Sequence, residues 1–129
     1  MSASQTFLFA GGIYHLALAI FHVFFWRIFH WKKDLAALTR INRAVVQILN
    51  LCLTFLFIVM AYVSFVHASE LISSPLGRTI LASIALFWIL RLILQFVFFG
   101  ARHRVSILFI AIFAIGASLY LLPSIWSLP

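Results

Sequence analysis

Four apolar stretches, each long enough to cross a lipid bilayer, constrain this chain more than any other feature of its sequence. They cover about residues 7–30, 44–67, 79–100 and 105–126, and a helix of roughly 20 apolar residues crosses the hydrocarbon layer. Of the 129 residues, 9% are charged, against about a quarter in a typical soluble domain. The sequence therefore predicts an all-α membrane protein, in which residues 1–129 form a single domain of four transmembrane helices in an antiparallel bundle.

The basic residues are concentrated in two of the connections between these helices. The second loop has Arg78 alone, whereas the first and third loops are flanked or filled by Arg27, Lys32, Lys33, Arg40, Arg43, Arg102 and Arg104. Because cytoplasmic loops carry an excess of Lys and Arg, we expect both termini outside, a basic cytoplasmic loop at about 31–43, and a location in a bacterial inner (plasma) membrane. The same groups suit anionic lipid headgroups, so the net charge of +7 does not indicate a nucleic-acid partner.

The ends of the stretches carry further membrane signals. The first stretch has no basic region before it and exceeds 20 residues, so we expect a retained helix rather than a cleaved signal peptide. Trp26 and Trp31 bracket the expected cytoplasmic boundary, and Tyr120 and Trp126 lie towards the outer one. This arrangement is typical of the aromatic belts of membrane proteins.

The polar side chains inside the stretches follow helical periodicity. At about 100° per residue they form one stripe on each of the first three helices. The stripes are Gly11, His15, Ala19, His22 and Trp26; Arg43, Gln47, Asn50, Thr54, Phe57, Ala61 and Ser64; and Trp88, Arg91, Gln95 and Phe98. Polar groups turned to lipid would lack partners, so we expect the three stripes to face one another. At about 1.5 Å per residue, His22, Asn50 and Arg91 each lie about 10 to 13 Å from the cytoplasmic end of their helix and share one layer.

Arg91 is the informative member of this layer. The two acidic residues of the chain, Asp34 and Glu70, both lie in loops, so we expect amide oxygens, carbonyls, water or an external anion around the guanidinium. An ionisable group inside a membrane marks a functional site by default. We predict a cytoplasm-facing cavity that binds or translocates a polar or anionic ligand, with Arg91 as fixed charge and His22, as a neutral imidazole, handling protons. The predicted ligand-binding residues are Arg91, His22, Asn50, Gln95, Gln47 and Thr54.

Other interpretations stay open at this point. Arg91 bonded to Asn50, Gln95 and carbonyl groups would serve only to hold the bundle together. An intramembrane enzyme acting on a lipid-soluble substrate would use His22 as base and Arg91 to stabilise an oxyanion, so the sequence leaves open whether the protein is an enzyme. A structural subunit would present the polar layer to a partner. Because the fourth helix has few polar groups with which to close that layer, we expect a homo-oligomer or a complex with a partner membrane subunit.

No cofactor or metal site is predicted. The single cysteine, Cys52, excludes an internal disulfide and a multi-cysteine metal site. His15 is a candidate haem ligand, but His15 and His22 are about 10 Å apart along one helix and cannot bind one iron from both sides. Haem stays open through symmetric pairing across a dimer.

The segment RAVVQILN, residues 43–50, is similar to one helix of a known family. Together with the size and the four-helix plan, it resembles the membrane-associated glutathione and eicosanoid enzymes, whose second helix carries an Arg-x3-Asn-x2-Glu pattern. Gln47 and Asn50 stand at its Asn and Glu positions. The resemblance implies trimers that bind a thiol ligand through basic residues at the cytoplasmic helix ends. The chain departs from the family in lacking the Glu and the paired tyrosines of the later helices.

Overall fold

The computed structural model describes residues 1–126, and all regular structure in that part of the chain is helical. Four of its helices are long and apolar enough to cross a membrane: α1 (Ala3–Val23), α4 (Arg40–Val66), α6 (Pro75–Phe99) and α7 (Arg104–Trp126). Three short helices connect them, namely α2 (Phe25–Ile28), α3 (Trp31–Asp34), which leads into a 3₁₀ turn at Leu35–Ala37, and α5 (Ala68–Ser73). The prediction of an all-helical protein with four membrane-crossing helices is thereby confirmed.

The first long helix ends earlier than the sequence predicts. The apolar stretch at about 7–30 is divided at Phe24, after which α2 adds a single turn. His30 then takes a left-handed conformation with φ of 49° and turns the chain into α3. Aromatic side chains lose rotamer freedom in a helix, and this stretch concentrates them. Their rings also pack against one another, as Phe25 does with Phe29 at 4.8 Å between centroids.

Several polar side chains are buried while large apolar side chains are exposed, unlike the usual pattern of soluble proteins. The polar side chains of His15, Ser64 and Gln95 are 0%, 1% and 2% exposed, whereas Phe55 and Phe98 are 67% and 76% exposed. Every buried side-chain nitrogen and oxygen within residues 1–126 has a hydrogen-bond partner. Polar groups turned inward and satisfied, with apolar side chains turned outward, are what a hydrocarbon solvent demands. Phe98 was predicted to lie on the polar stripe of α6, but it is the last residue but one of that helix and is exposed.

Contacts along the chain define two compact units, and each is considered by itself. The 12–63 unit is Gly12–Val63, and the terminal unit is Met1–Gly11 with Ser64–Pro129, which the structure describes as far as residue 126. In the 12–63 unit, α1 and α4 run antiparallel. His15 contacts Phe57, and further along α1 His22 contacts Asn50. Side chains that helical periodicity places on the polar stripes of these two helices therefore meet.

In the terminal unit, α6 and α7 form an antiparallel hairpin. Gln95 bonds Ser106 beside the connection, and Trp88 stacks on Phe113 about two turns deeper. The hairpin confirms that the tight connection "GARHR" makes these helices neighbours. Ser74 caps the start of α6, because its hydroxyl oxygen accepts from the Gly77 amide at 2.9 Å and Pro75 follows it.

Gly77 allows α5 and α6 to pack closely in the same unit. A Cβ at this position would lie 2.0 Å from the carbonyl oxygen of Glu70 and 2.6 Å from the Cα of Leu71. Both atoms belong to the backbone and cannot move aside cheaply. The Pro-Leu-Gly sequence after α5 therefore both starts α6 and lets the chain turn tightly into it.

Candidate functional site

His22 and Asn50 form a reciprocal pair in the 12–63 unit. The Nδ2 group of Asn50 donates to the backbone carbonyl of His22 at 3.0 Å, and its Oδ1 lies 2.8 Å from Nδ1 of the imidazole. An amide oxygen can only accept, so the proton of a neutral His22 ring sits on Nδ1. Nε2 is then the nitrogen whose lone pair can take a proton. Asn50 fixes both the ring position and its tautomer.

Aromatic rings hold the other faces of this histidine. Phe25 stacks on the imidazole at 4.1 Å between centroids, and Phe57 meets it edge-on at 5.1 Å. His22 itself is half-buried. A half-buried imidazole with a fixed tautomer and a fixed plane is prepared for directional hydrogen bonding or proton transfer.

Gln47 and Thr54, one turn to either side of Asn50, make mainly local bonds. The Oε1 of Gln47 accepts from the indole of Trp26 at 3.1 Å, and its Nε2 donates to the Arg43 carbonyl at 3.1 Å. The hydroxyl of Thr54 donates to the Asn50 carbonyl at 2.8 Å. Gln47 thus links α4 to α2, whereas Thr54 bonds within α4, each one turn from Asn50.

Arg91 stands at the start of a hydrogen-bonded relay in the terminal unit. Its Nη1 donates to Oε1 of Gln95 at 3.1 Å, and Nε2 of Gln95 donates to the hydroxyl of Ser106 at 3.0 Å. The Ser106 hydroxyl in turn donates to the carbonyl of Gly100, where α6 ends. Because Ser106 must receive the amide N–H, Gln95 can present only its oxygen to Arg91. The relay sets the direction of the guanidinium.

A stack of aromatic rings supports the same guanidinium. The Cζ of Arg91 lies 4.1 Å from the centroid of the Phe113 ring. Phe113 in turn stacks on Trp88 and on Phe109, each at 5.8 Å between centroids. An arginine over a ring face gains cation–π attraction without losing its charge. Arg91 is half-buried, so it is fixed in place and still partly accessible.

The predicted site residues therefore occupy two clusters. The 12–63 unit contains His22, Asn50, Gln47 and Thr54, and the terminal unit contains Arg91 and Gln95. The structure brings members together within each cluster, and the common layer of His22, Asn50 and Arg91 stays a prediction.

His15 is completely buried, and its ring lies 5.7 Å from that of Phe57. Within residues 1–126, no three His, Cys, Asp or Glu side chains are grouped so as to hold a metal ion. The absence of a cofactor stays a prediction, with haem through His15 as the alternative left open.

Two features of the site were not predicted. Ser106 and Phe113 complete the Arg91 cluster from α7, a helix whose sequence has little polar patterning. Tyr120 was assigned to the outer aromatic belt, which is wrong, because it is completely buried and its hydroxyl lies 2.7 Å from that of Ser64. A tyrosine hydroxyl that finds a buried partner no longer needs the membrane interface.

Comparisons of the chain with protein-family models, with curated proteins and with solved structures found no match. The resemblance of residues 43–50 to the glutathione and eicosanoid enzymes therefore stands on those residues and the helical plan. The functional proposals that follow start from the two clusters.

Proposed function

We propose that this integral membrane protein binds or translocates a polar or anionic ligand that reaches it from the cytoplasm, with Arg91 as the fixed charge. In this proposal the four long helices form an antiparallel bundle in a bacterial inner membrane, with both chain ends outside. The orientation is supported by the basic residues, which are concentrated in the α1–α4 and α6–α7 connections and the helix turns beside them, against Arg78 alone at the start of α6.

The observation that carries the proposal is the way in which Arg91 is held. Gln95, locked by Ser106, accepts one N–H of the guanidinium, and Phe113 lies beneath it. Each of these three groups is neutral, so they orient the charge without cancelling it. Orienting a planar guanidinium in advance lowers the entropy lost when it binds a carboxylate, phosphate or similar anion. An ionisable side chain within a membrane-crossing helix is expensive and is usually retained for such a purpose.

The His22–Asn50 pair supports a proton-handling role alongside this charge. With Nδ1 donating to Asn50, the basic lone pair of the neutral ring is on Nε2. A ligand that enters as an anion and changes its protonation state would need such a group. We therefore assign proton exchange to His22 and orientation of its ring to Asn50.

Thermal unfolding in detergent, with and without added inorganic phosphate, acetate or nitrate, tests the role of Arg91. Wild type should be stabilised by the anion that it binds, by about 2.7 kcal/mol at 100 times Kd. Arg91→Lys keeps the charge but lacks the planar fork, so it should fold and lose most of this stabilisation. Arg102→Lys, at an exposed arginine in the α6–α7 connection, is the matched control and should respond as wild type does.

Arg91→Leu separates ligand binding from packing. It removes a charge that costs at least about 2.5 kcal/mol to place in the bilayer, but it leaves Gln95 without its donor at about 1–3 kcal/mol. The two effects nearly offset, so the free energy of unfolding without anion should change little. A large loss of stability in Arg91→Leu, with no anion response in wild type, would show that Arg91 serves packing alone.

The fixed tautomer of His22 also favours a second candidate function, an intramembrane enzyme whose base is Nε2 of His22. Mass spectrometry of lipid-soluble compounds that copurify with the protein tests it. An enzyme should copurify with product in wild type and with substrate in His22→Gln. The same compounds in both proteins would contradict enzymatic turnover.

A further inference from the structure

A cleft of about 420 Å³ opens beside the connection between α1 and α4, within the 12–63 unit. Trp26, Trp31 and Lys32 line it from the α2–α3 segment, and Arg43 and Gln47 line it from the first two turns of α4. It lies at the helix ends that carry most of the basic residues, rather than in the middle of the spans. It is thus distinct from the Arg91 cluster of the terminal unit.

The walls of the cleft are fixed by hydrogen bonds. The guanidinium of Arg43 binds three carbonyl groups of the connection: Nε donates to Leu35 at 2.8 Å, and Nη2 donates to Ala36 and Leu38 at 3.0 and 3.2 Å. These bonds tie the connecting segment to α4. On the opposite wall, the indoles of Trp26 and Trp31 meet edge-to-face at 5.1 Å.

The cleft offers hydrogen-bond donors and positive charge. Within residues 1–126, the ammonium of Lys32, the indole N–H of Trp31 and the Nη1 group of Arg43 have no hydrogen-bond partner. The carbonyl groups that hold Arg43 leave its charge intact. Donors and cations without an acid are suited to the oxygens of a phosphate group.

Of the three charged side chains of α3, one lines the cleft and two do not. Lys32 lines the cleft, whereas Lys33 and the acid Asp34 do not. Residues 31, 32, 35 and 36 line the cleft at helical spacing, so residues 33 and 34 lie on the other side of the segment. The carboxylate of Asp34 therefore does not compete with an anion in the cleft.

The surroundings favour a lipid as the source of that phosphate. Ile28, Ile41 and Val45 are exposed apolar side chains on the segments that form the cleft, 47%, 74% and 45% exposed respectively. Indoles with basic side chains at the end of a membrane-crossing helix are typical of the headgroup level of a bilayer. Exposed apolar side chains around the same connection fit a part of the protein that lipid surrounds.

We propose that this cleft binds the phosphate group of an anionic phospholipid, with Lys32 and Arg43 as its cations and Trp31 as an N–H donor. Headgroup binding here fastens the α1–α4 connection to the bilayer surface. It does not depend on Arg91 or on the proposed ligand of that residue.

Native mass spectrometry of the detergent-purified protein titrated with phosphatidylglycerol or phosphatidylcholine tests this proposal. Wild type should bind one phosphatidylglycerol molecule in preference to phosphatidylcholine. Lys32→Gln should weaken that binding about five-fold, the contribution of one basic side chain near an anionic surface. Lys33→Gln removes the same charge from the next residue, outside the cleft, and should change binding less than two-fold. Trp31→Phe, which keeps the ring and loses the N–H, should also weaken binding.

Three results would overturn the proposal. Equal effects of Lys32→Gln and Lys33→Gln would mean general surface charge rather than a site. Equal binding of the two lipids would mean that the cleft does not select an anionic headgroup over a zwitterionic one. Competition by glycerol phosphate or inorganic phosphate at the affinity of the lipid would assign the cleft to a soluble phosphate compound instead.

Discussion

Ser106→Ala is the substitution that most directly tests the relay beneath Arg91. Ser106 is 5% exposed and Gln95 is 2% exposed, so removing the hydroxyl leaves the Gln95 amide without its acceptor in a buried place. An unsatisfied buried group costs about 1–3 kcal/mol, while interhelical hydrogen bonds in membranes average about 0.6 kcal/mol and reach about 1.7. Since the bond lies near the end of the hairpin, we expect a loss of about 1–2 kcal/mol in the free energy of unfolding.

The same helix provides the matched control for this prediction. Ser118 is exposed, and its hydroxyl donates to the Ala114 carbonyl within α7 at 2.9 Å. Ser118→Ala should change stability by no more than about 0.5 kcal/mol. Unfolding of both variants in mixed micelles with increasing dodecyl sulfate, followed by far-ultraviolet circular dichroism, measures the difference. Equal stability of the two variants would refute the relay.

Further predictions concern packing and topology. Gly11→Ala should cost about 1–3 kcal/mol of stability in the same assay, because its Cβ would lie 2.6 Å from the Cζ and hydroxyl oxygen of Tyr120; wild-type stability would contradict this packing. In a cysteine-free background, a cysteine at Ser4 should react with a membrane-impermeant maleimide from outside, and one at Ala36 only after the membrane is opened. Labelling in the opposite order would invert the orientation.

The sequence was sufficient where helical periodicity alone determines the outcome. The four spans, the burial of Asn50 and Ser64, and the meeting of His22 with Asn50 follow from apolar length and from a 3.6-residue repeat. Such features depend on helices whose own sequence has a distinct polar stripe. The spacing of the polar residues along each helix already indicates which face turns inward.

Features that depend on the rotation of an apolar helix against its neighbour could not be predicted from helical periodicity. The bond between Gln95 and Ser106 requires a particular rotation of α7, whose nearly uniform apolar sequence gives no preferred face. Tyr120 was misplaced for the same reason, because its position near a helix end suggested the interface. The break at Phe24 falls inside a stretch that is apolar on both sides, so apolar periodicity does not report it.

Calorimetric titration of wild type and Gln95→Glu with the same anion tests the role of Arg91 most directly. The substitution changes little in shape, but it places a carboxylate oxygen where the amide oxygen now lies, 3.1 Å from Nη1 of Arg91. Its other oxygen faces Ser106, whose hydroxyl can donate to it only by turning its proton from the Gly100 carbonyl to the carboxylate. The new carboxylate should then pair with the guanidinium and compete with an added anion. The variant should fold and lose at least about ten-fold in anion affinity, or about 1.4 kcal/mol. Anion binding by Gln95→Glu with wild-type affinity would contradict the assignment of Arg91 as the ligand-binding charge.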